Sequence, residues 1–97
     1  MIDSGRADSL EKWRLLARQF HAIDTRWPGD FEPADLQKLP CETMTPAVAG
    51  VIKFLLHIWN SENLFDLSEV QRWDRAHLRG FKAWVLGEIT GEPCRYF

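Results

Sequence analysis

The stretch PAVAGVIKFLLHIW, residues 46–59, constrains this chain most. Wound as a helix, Val48, Ala49, Val51, Ile52, Phe54, Leu55, Leu56, Ile58 and Trp59 cover most of its circumference. Gly50, Lys53, His57 and Asn60 leave only a narrow polar stripe. A helix that apolar needs neighbours on most sides. It predicts a central element with the other segments packed around it, or one face of a homodimer. Thr45 supplies a capping hydroxyl, and Pro46 takes the first helical position, where the missing amide costs nothing. Lys53 and His57 interrupt the run, and it is far shorter than the roughly 20 apolar residues of a membrane span.

The segments around it are also helical in pattern. Trp13, Leu16, Ala17, Phe20 and Ile23 form one stripe, which predicts a helix over about 10–24 with Arg14, Arg18 and His21 on its outer side. Asp8, followed by Glu11, reads as its capping box. TRWPGDFEP ends it, since a residue before proline is pushed to extended geometry and Pro-Gly marks a turn. PADLQKL predicts a short helix with Pro33 in its first turn, closed by Pro40. Asp66, with Glu69 after it, is a second capping box. The segment behind it, 67–87, is either one helix or two, broken near Trp73 with Asp74 as a new cap. Both readings stay open. Gly91 and Pro93 close the pattern. The expectation is an all-α, compact single domain over 1–97, a bundle of four to five helices around the apolar helix at about 46–59. Residues 1–8 and 92–97 are expected as loosely ordered tails, the last, CRYF, able to pack back.

Composition narrows the function classes. The formal net charge is -2, which weighs against a dedicated nucleic-acid binder. Cys41 and Cys94 are too few for a disulfide scaffold and stand in no ligand-spaced cluster, so a reduced, cytoplasmic protein is expected. His21, His57 and His77 are scattered and make no zinc signature. Phosphate-cradling glycine loops, G-x-S-x-G and H-E-x-x-H are all missing, so neither metal nor cofactor is expected. Five tryptophans and six phenylalanines are enough to supply a core, or to leave a surplus for an interface.

WDRAHLRGFKAW, residues 73–84, carries the strongest functional signal. At 100 degrees per residue, Val70, Trp73, His77, Phe81 and Trp84 share one face, and Arg72, Arg75, Arg79 and Lys82 share the opposite one. Arg75 and Arg79 are like charges at i,i+4, a mildly unfavourable pairing with no acid on the stripe to relieve it. The cations are either solvated, or docked on the acidic connector 24–42 with its Asp24, Asp30, Glu32, Asp35 and Glu42, or free for a partner. A helix-turn-helix reading is weak, because Gly80 falls inside the second helical pattern rather than at a turn.

Two further features bear on function. Asp74 precedes His77 by three residues, the spacing of an acid-base pair, but no nucleophile or second ligand accompanies it, and a buried, hydrogen-bonded histidine is the plainer reading. Trp27, in a charged turn, is either a lid over the core or an interface anchor. Together these lead to a non-enzymatic protein-protein interaction module, a small adaptor, inhibitor or regulator. It binds an acidic protein surface through Arg72, Arg75, Arg79 and Lys82, with Trp27 as a further contact. The alternative is a nucleic-acid-binding module that adds Arg14 and Arg18 to the same face. A small helical enzyme built on Asp74 and His77 comes third.

Overall fold

The computed structural model describes residues 4–26 and 29–97. Among them the chain forms five α-helices and no strand: α1 (Ser4–Ala17), α2 (His21–Arg26), α3 (Pro33–Gln37), α4 (Pro46–Trp59) and α5 (Arg75–Leu86). Two 3-10 turns, Cys41–Thr43 and Leu67–Arg72, join them.

The apolar helix forms where its caps place it. The Thr45 hydroxyl accepts from the Val48 amide at 3.3 Å. Inside α4, Val51, Ile52, Phe54, Leu55 and Ile58 are at most 1% exposed within one chain, so α4 is the central element. α3 and both 3-10 turns pack on it, while α1 crosses α5. Trp13 of α1 reaches across and donates its indole N–H to the Leu55 carbonyl at 3.0 Å. Phe54 is the hub. The rings of Phe20, Phe65, Trp73, Phe81 and Trp84 surround it at centroid distances between 5.0 and 5.9 Å, mostly edge to face, the favoured arrangement for aromatic pairs.

Two local expectations change, and the open choice over 67–87 falls to two elements. The helix expected over 10–24 is two helices, and α1 begins at Ser4. Asp8 therefore lies inside α1, where it pairs with Lys12 at 3.7 Å instead of capping. The chain tightens at 18–20 through i→i−3 bonds from Gln19 to Leu16 and from Phe20 to Ala17, then restarts at His21. Phe20 is fully buried there against α5. A Cβ at Gly80 would sit 2.9 Å from its ring, so glycine is what admits the ring so close. The 67–87 segment is likewise divided. Asp66 caps the 3-10 turn by accepting from Ser68 N at 2.9 Å and Ser68 Oγ at 2.8 Å. Trp73 and Asp74 are extended, and Asp74 recaps α5 by accepting from His77 N at 3.0 Å. The extended Trp73 brings its indole against α4 at Gly50, where a Cβ would stand 2.7 Å from Nε1.

The C-terminal residues pack back. Gly87, with φ of 71°, ends α5 in the left-handed conformation that glycine adopts without strain. The Trp84 indole then donates to the Arg95 carbonyl at 2.7 Å, and the Phe97 amide donates to the Ile58 carbonyl at 2.7 Å. The radius of gyration, 12.8 Å, matches the roughly 13 Å of a compact domain of about 100 residues. Among the described residues no helix is long and apolar enough to cross a membrane.

Candidate functional site

The two faces of α5 separate as the helical spacing requires. His77, Gly80, Ala83 and Trp84 are buried. Arg75, Arg79 and Lys82 are exposed, and Leu78 lies among them at 36% exposure. These four line a shallow depression of about 190 Å³. Among the described residues, Arg75, Arg79 and Lys82 make no ion pair and no hydrogen bond. The described part of the acidic connector does not dock on them. Asp24 instead pairs with Arg18 at 3.6 Å, and Asp35 accepts from the Glu32 amide at 2.8 Å.

Arg72 does not belong to the α5 stripe. It ends the Leu67–Arg72 turn, and the extended residues 73–74 separate it from α5, which breaks the continuous helical register that grouped it with the others. It is exposed. The Asp66 carboxyl is held below the usual carboxylate range, first by the hydroxyl and amide of Ser68 and then, more weakly, by the charge of Arg72. Trp27 lies outside the described residues.

Arg14 and Arg18 do not extend the cationic face either. The helical wheel places them outward on α1, but the loop after α2 folds over that side. Arg14 Nε donates to the Phe31 carbonyl at 2.6 Å, and Arg18 donates to the Gly29 carbonyl. Arg18 also stands over the Phe31 ring at 5.4 Å. Phe31 itself is 2% exposed, packed against Trp13 at 5.5 Å. Both arginines therefore hold a loop onto the core.

His77 is 4% exposed and stacked on Phe20 at 6.3 Å. Its Nε2 accepts from the Ala22 amide at 3.3 Å. An amide is only a donor, so Nε2 carries the lone pair and the neutral ring holds its proton on Nδ1. Asp74 Oδ1 lies 2.8 Å from Nδ1, at ion-pair distance, but out of line for a directed Nδ1–H bond. The Asp74 carboxyl is held below its usual range, chiefly by the His77 amide. With one ring nitrogen occupied by backbone and the other closed off from solvent, the pair serves α2 and α5 as structure.

Leu78 is the site residue that sequence reasoning passed over. Helical spacing puts it at the flank of the apolar face, and nothing local marks it as the apolar centre of the cationic side. Among the described residues no group of three or more His, Cys, Asp or Glu side chains is placed to hold a metal ion. In comparisons with known proteins, no family model, curated protein or solved structure matches this chain.

Proposed function

We propose that this chain is a non-enzymatic interaction module, a small adaptor, inhibitor or regulator, that binds an acidic protein surface through Arg75, Arg79 and Lys82 around Leu78. One contrast carries the reading. Arg14, Arg18 and Arg95 each have a partner within the fold, whereas the three α5 cations have none among the described residues. Like charges at i,i+4 weaken a helix slightly, so an arrangement that keeps them together and unpaired suits an external anion. Fixed cations set around an apolar side chain match a protein surface of carboxylates and apolar groups, where charge complementarity brings encounter rate and specificity. Arg72, exposed before α5, and Trp27 remain candidate contacts.

Nucleic acid is the weaker reading. Neutralising a phosphate backbone takes a track of cations, and Arg14 and Arg18 are occupied elsewhere in a chain of net charge -2. Catalysis is weaker still, because His77 accepts from a backbone amide where a general base would need its lone pair for substrate. A reducing, cytoplasmic setting fits two cysteines that are too few for a disulfide scaffold.

The test is capture from lysate of the host, with and without nuclease treatment. The baits are wild type, the double reversal Arg75→Glu/Arg79→Glu, and Lys53→Glu as an exposed-cation control on α4. The reading predicts a protein retained by wild type and by the control and lost by the double reversal. A partner held equally by all three would refute it. Bound material that disappears with nuclease, with a log-log salt slope of about -0.9 per phosphate contact on duplex DNA, would establish the nucleic-acid reading instead.

A further inference from the structure

A second concavity lies towards the C-terminal end of α5 and does not depend on the cationic face. It has a volume of about 350 Å³, within the roughly 300–1,000 Å³ range of small-molecule sites. Phe54 and Trp84, 1% and 7% exposed, form its base with Phe81. Phe65 lines it from the loop after α4. The mouth is formed by Leu67, 65% exposed, and Tyr96, 51% exposed. Among the described residues, no Asp, Glu, Lys or Arg lines it. An ionic ligand would lose its hydration there without gaining a counter-charge, so the walls select a neutral guest. Rings on several sides favour a flat aromatic one.

The polar group at the mouth has a defined direction. His57 Nδ1 lies 2.8 Å from the Asn63 carbonyl, which can only accept, so Nδ1 carries a proton. His57 Nε2 lies 2.8 Å from the Tyr96 hydroxyl. In the neutral ring Nε2 is an acceptor, and the Tyr96 hydroxyl spends its one proton on it. What the Tyr96 oxygen then offers to a guest is its lone pairs.

From these observations we infer that the cavity between α4, α5 and the C-terminal residues binds a small neutral aromatic ligand that carries one hydrogen-bond donor, a phenol- or indole-type molecule, whose O–H or N–H is accepted by Tyr96. A guest without a donor fills the same volume and leaves that oxygen to water.

The experiment compares 2-naphthol with 2-methoxynaphthalene, which keeps the rings and loses the donor. Both are titrated into the whole chain at about pH 7.5, where histidine is mainly neutral, with backbone amide NMR shifts as the readout. Saturable shifts are expected at Phe65, Val85 and Tyr96. Wild type should bind 2-naphthol about three- to tenfold tighter, the worth of one net hydrogen bond. His57→Phe/Tyr96→Phe keeps the Tyr96 ring, removes both the hydroxyl and the Nε2 acceptor that its loss would free, and should bind the two probes equally. Leu67→Asp, at the exposed mouth, should weaken both probes several-fold. Absence of saturable shifts at these amides in wild type would overturn the inference. So would equal binding of the two probes by wild type, or a preference that survives in His57→Phe/Tyr96→Phe. Shifts at the same amides that depend on protein concentration with no probe present would show a second copy filling the cavity, which also overturns it.

Discussion

Nε2 of His77 accepts a hydrogen bond from the backbone amide of Ala22, 3.3 Å away and 55 residues apart in sequence. The first amides of any helix have no partner inside it. In α2, which starts at His21, one of them is satisfied by a side chain of α5, while Asp74 satisfies the amide of His77 itself at 3.0 Å. Two helix starts are thereby joined through one residue pair, with the His77 ring stacked on Phe20 between them.

His77→Leu should therefore destabilise the fold by about 1–2 kcal/mol, the lower part of the cost of an unpaired buried amide, because Ala22 is only partly buried. His77→Gln, which retains an acceptor, should lose less. Urea unfolding checks the order, and hydrogen exchange at Ala22 should accelerate selectively in the leucine variant. Equal stability of His77→Leu and wild type would remove the capping role.

Gly50→Ala sets two effects against each other. Alanine in a helix interior is about 1 kcal/mol better than glycine. The new Cβ, however, would lie 2.7 Å from Nε1 of Trp73, whose ring is 4% exposed and held among Phe20, Phe54, Phe65 and Phe81. Overpacking of a fixed ring costs about 1–3 kcal/mol, so it outweighs propensity and the net loss is about 1 kcal/mol. In a Trp73→Phe background the clashing nitrogen is gone, along with an indole N–H that is buried without a partner among the described residues. There Gly50→Ala should be neutral or stabilising. A double-mutant cycle in urea measures this coupling.

The same glycine shows which parts of the fold were legible in the sequence. α4 was, because its start is written locally in Thr45 and Pro46 and its burial in the near absence of polar positions. The break at 18–20 was not. Trp13, Leu16, Ala17, Phe20 and Ile23 keep one register across it and are all buried, so periodicity is the same with or without the turn. What makes the turn is a distant contact, Phe20 on Gly80. In 67–87 both caps, Asp66 and Asp74, could be read, and the choice between one helix and two rested on Trp73 meeting Gly50 across the core. The site divides the same way. Arg75, Arg79 and Lys82 follow from helical spacing alone. The occupation of Arg14 and Arg18 by loop carbonyls, and a cavity shared by residues near 54–57, 65–67, 81–85 and 94–96, exist only once the chain has folded.

The two groups of arginines should respond differently to substitution. Arg14→Ala removes the donor to the Phe31 carbonyl and loosens the loop that covers Trp13. A hydrogen bond from a charged group is worth about 1.5–3 kcal/mol; since Arg14 is only partly buried, a loss of about 1–2 kcal/mol is expected. Arg75→Glu/Arg79→Glu touches no partner among the described residues and should stay within about 0.5 kcal/mol of wild type. Thermal melts of the purified variants separate these outcomes. A large loss in the double reversal would mean that the α5 cations are engaged within the fold.

Acid should weaken the fold through two of its capping aspartates, Asp66 and Asp74. The Asp66 carboxyl is held below 3.8 mainly by the hydroxyl and amide of Ser68, and the Asp74 carboxyl mainly by the amide of His77, with the His77 and His21 charges adding less. A carboxyl with a lowered native pKa binds protons more readily in the unfolded chain. Stability therefore rises with pH through this window. The contribution of each group is complete above 3.8 and is lost as pH falls through the lowered native values. Asp66→Asn/Asp74→Asn keeps a side-chain oxygen for each cap but cannot titrate. Its melting temperature at neutral pH should lie close to that of wild type, and its drop between about pH 6 and pH 3 should be smaller. Identical acid slopes in the two proteins would show that neither carboxylate stabilises the fold through its charge.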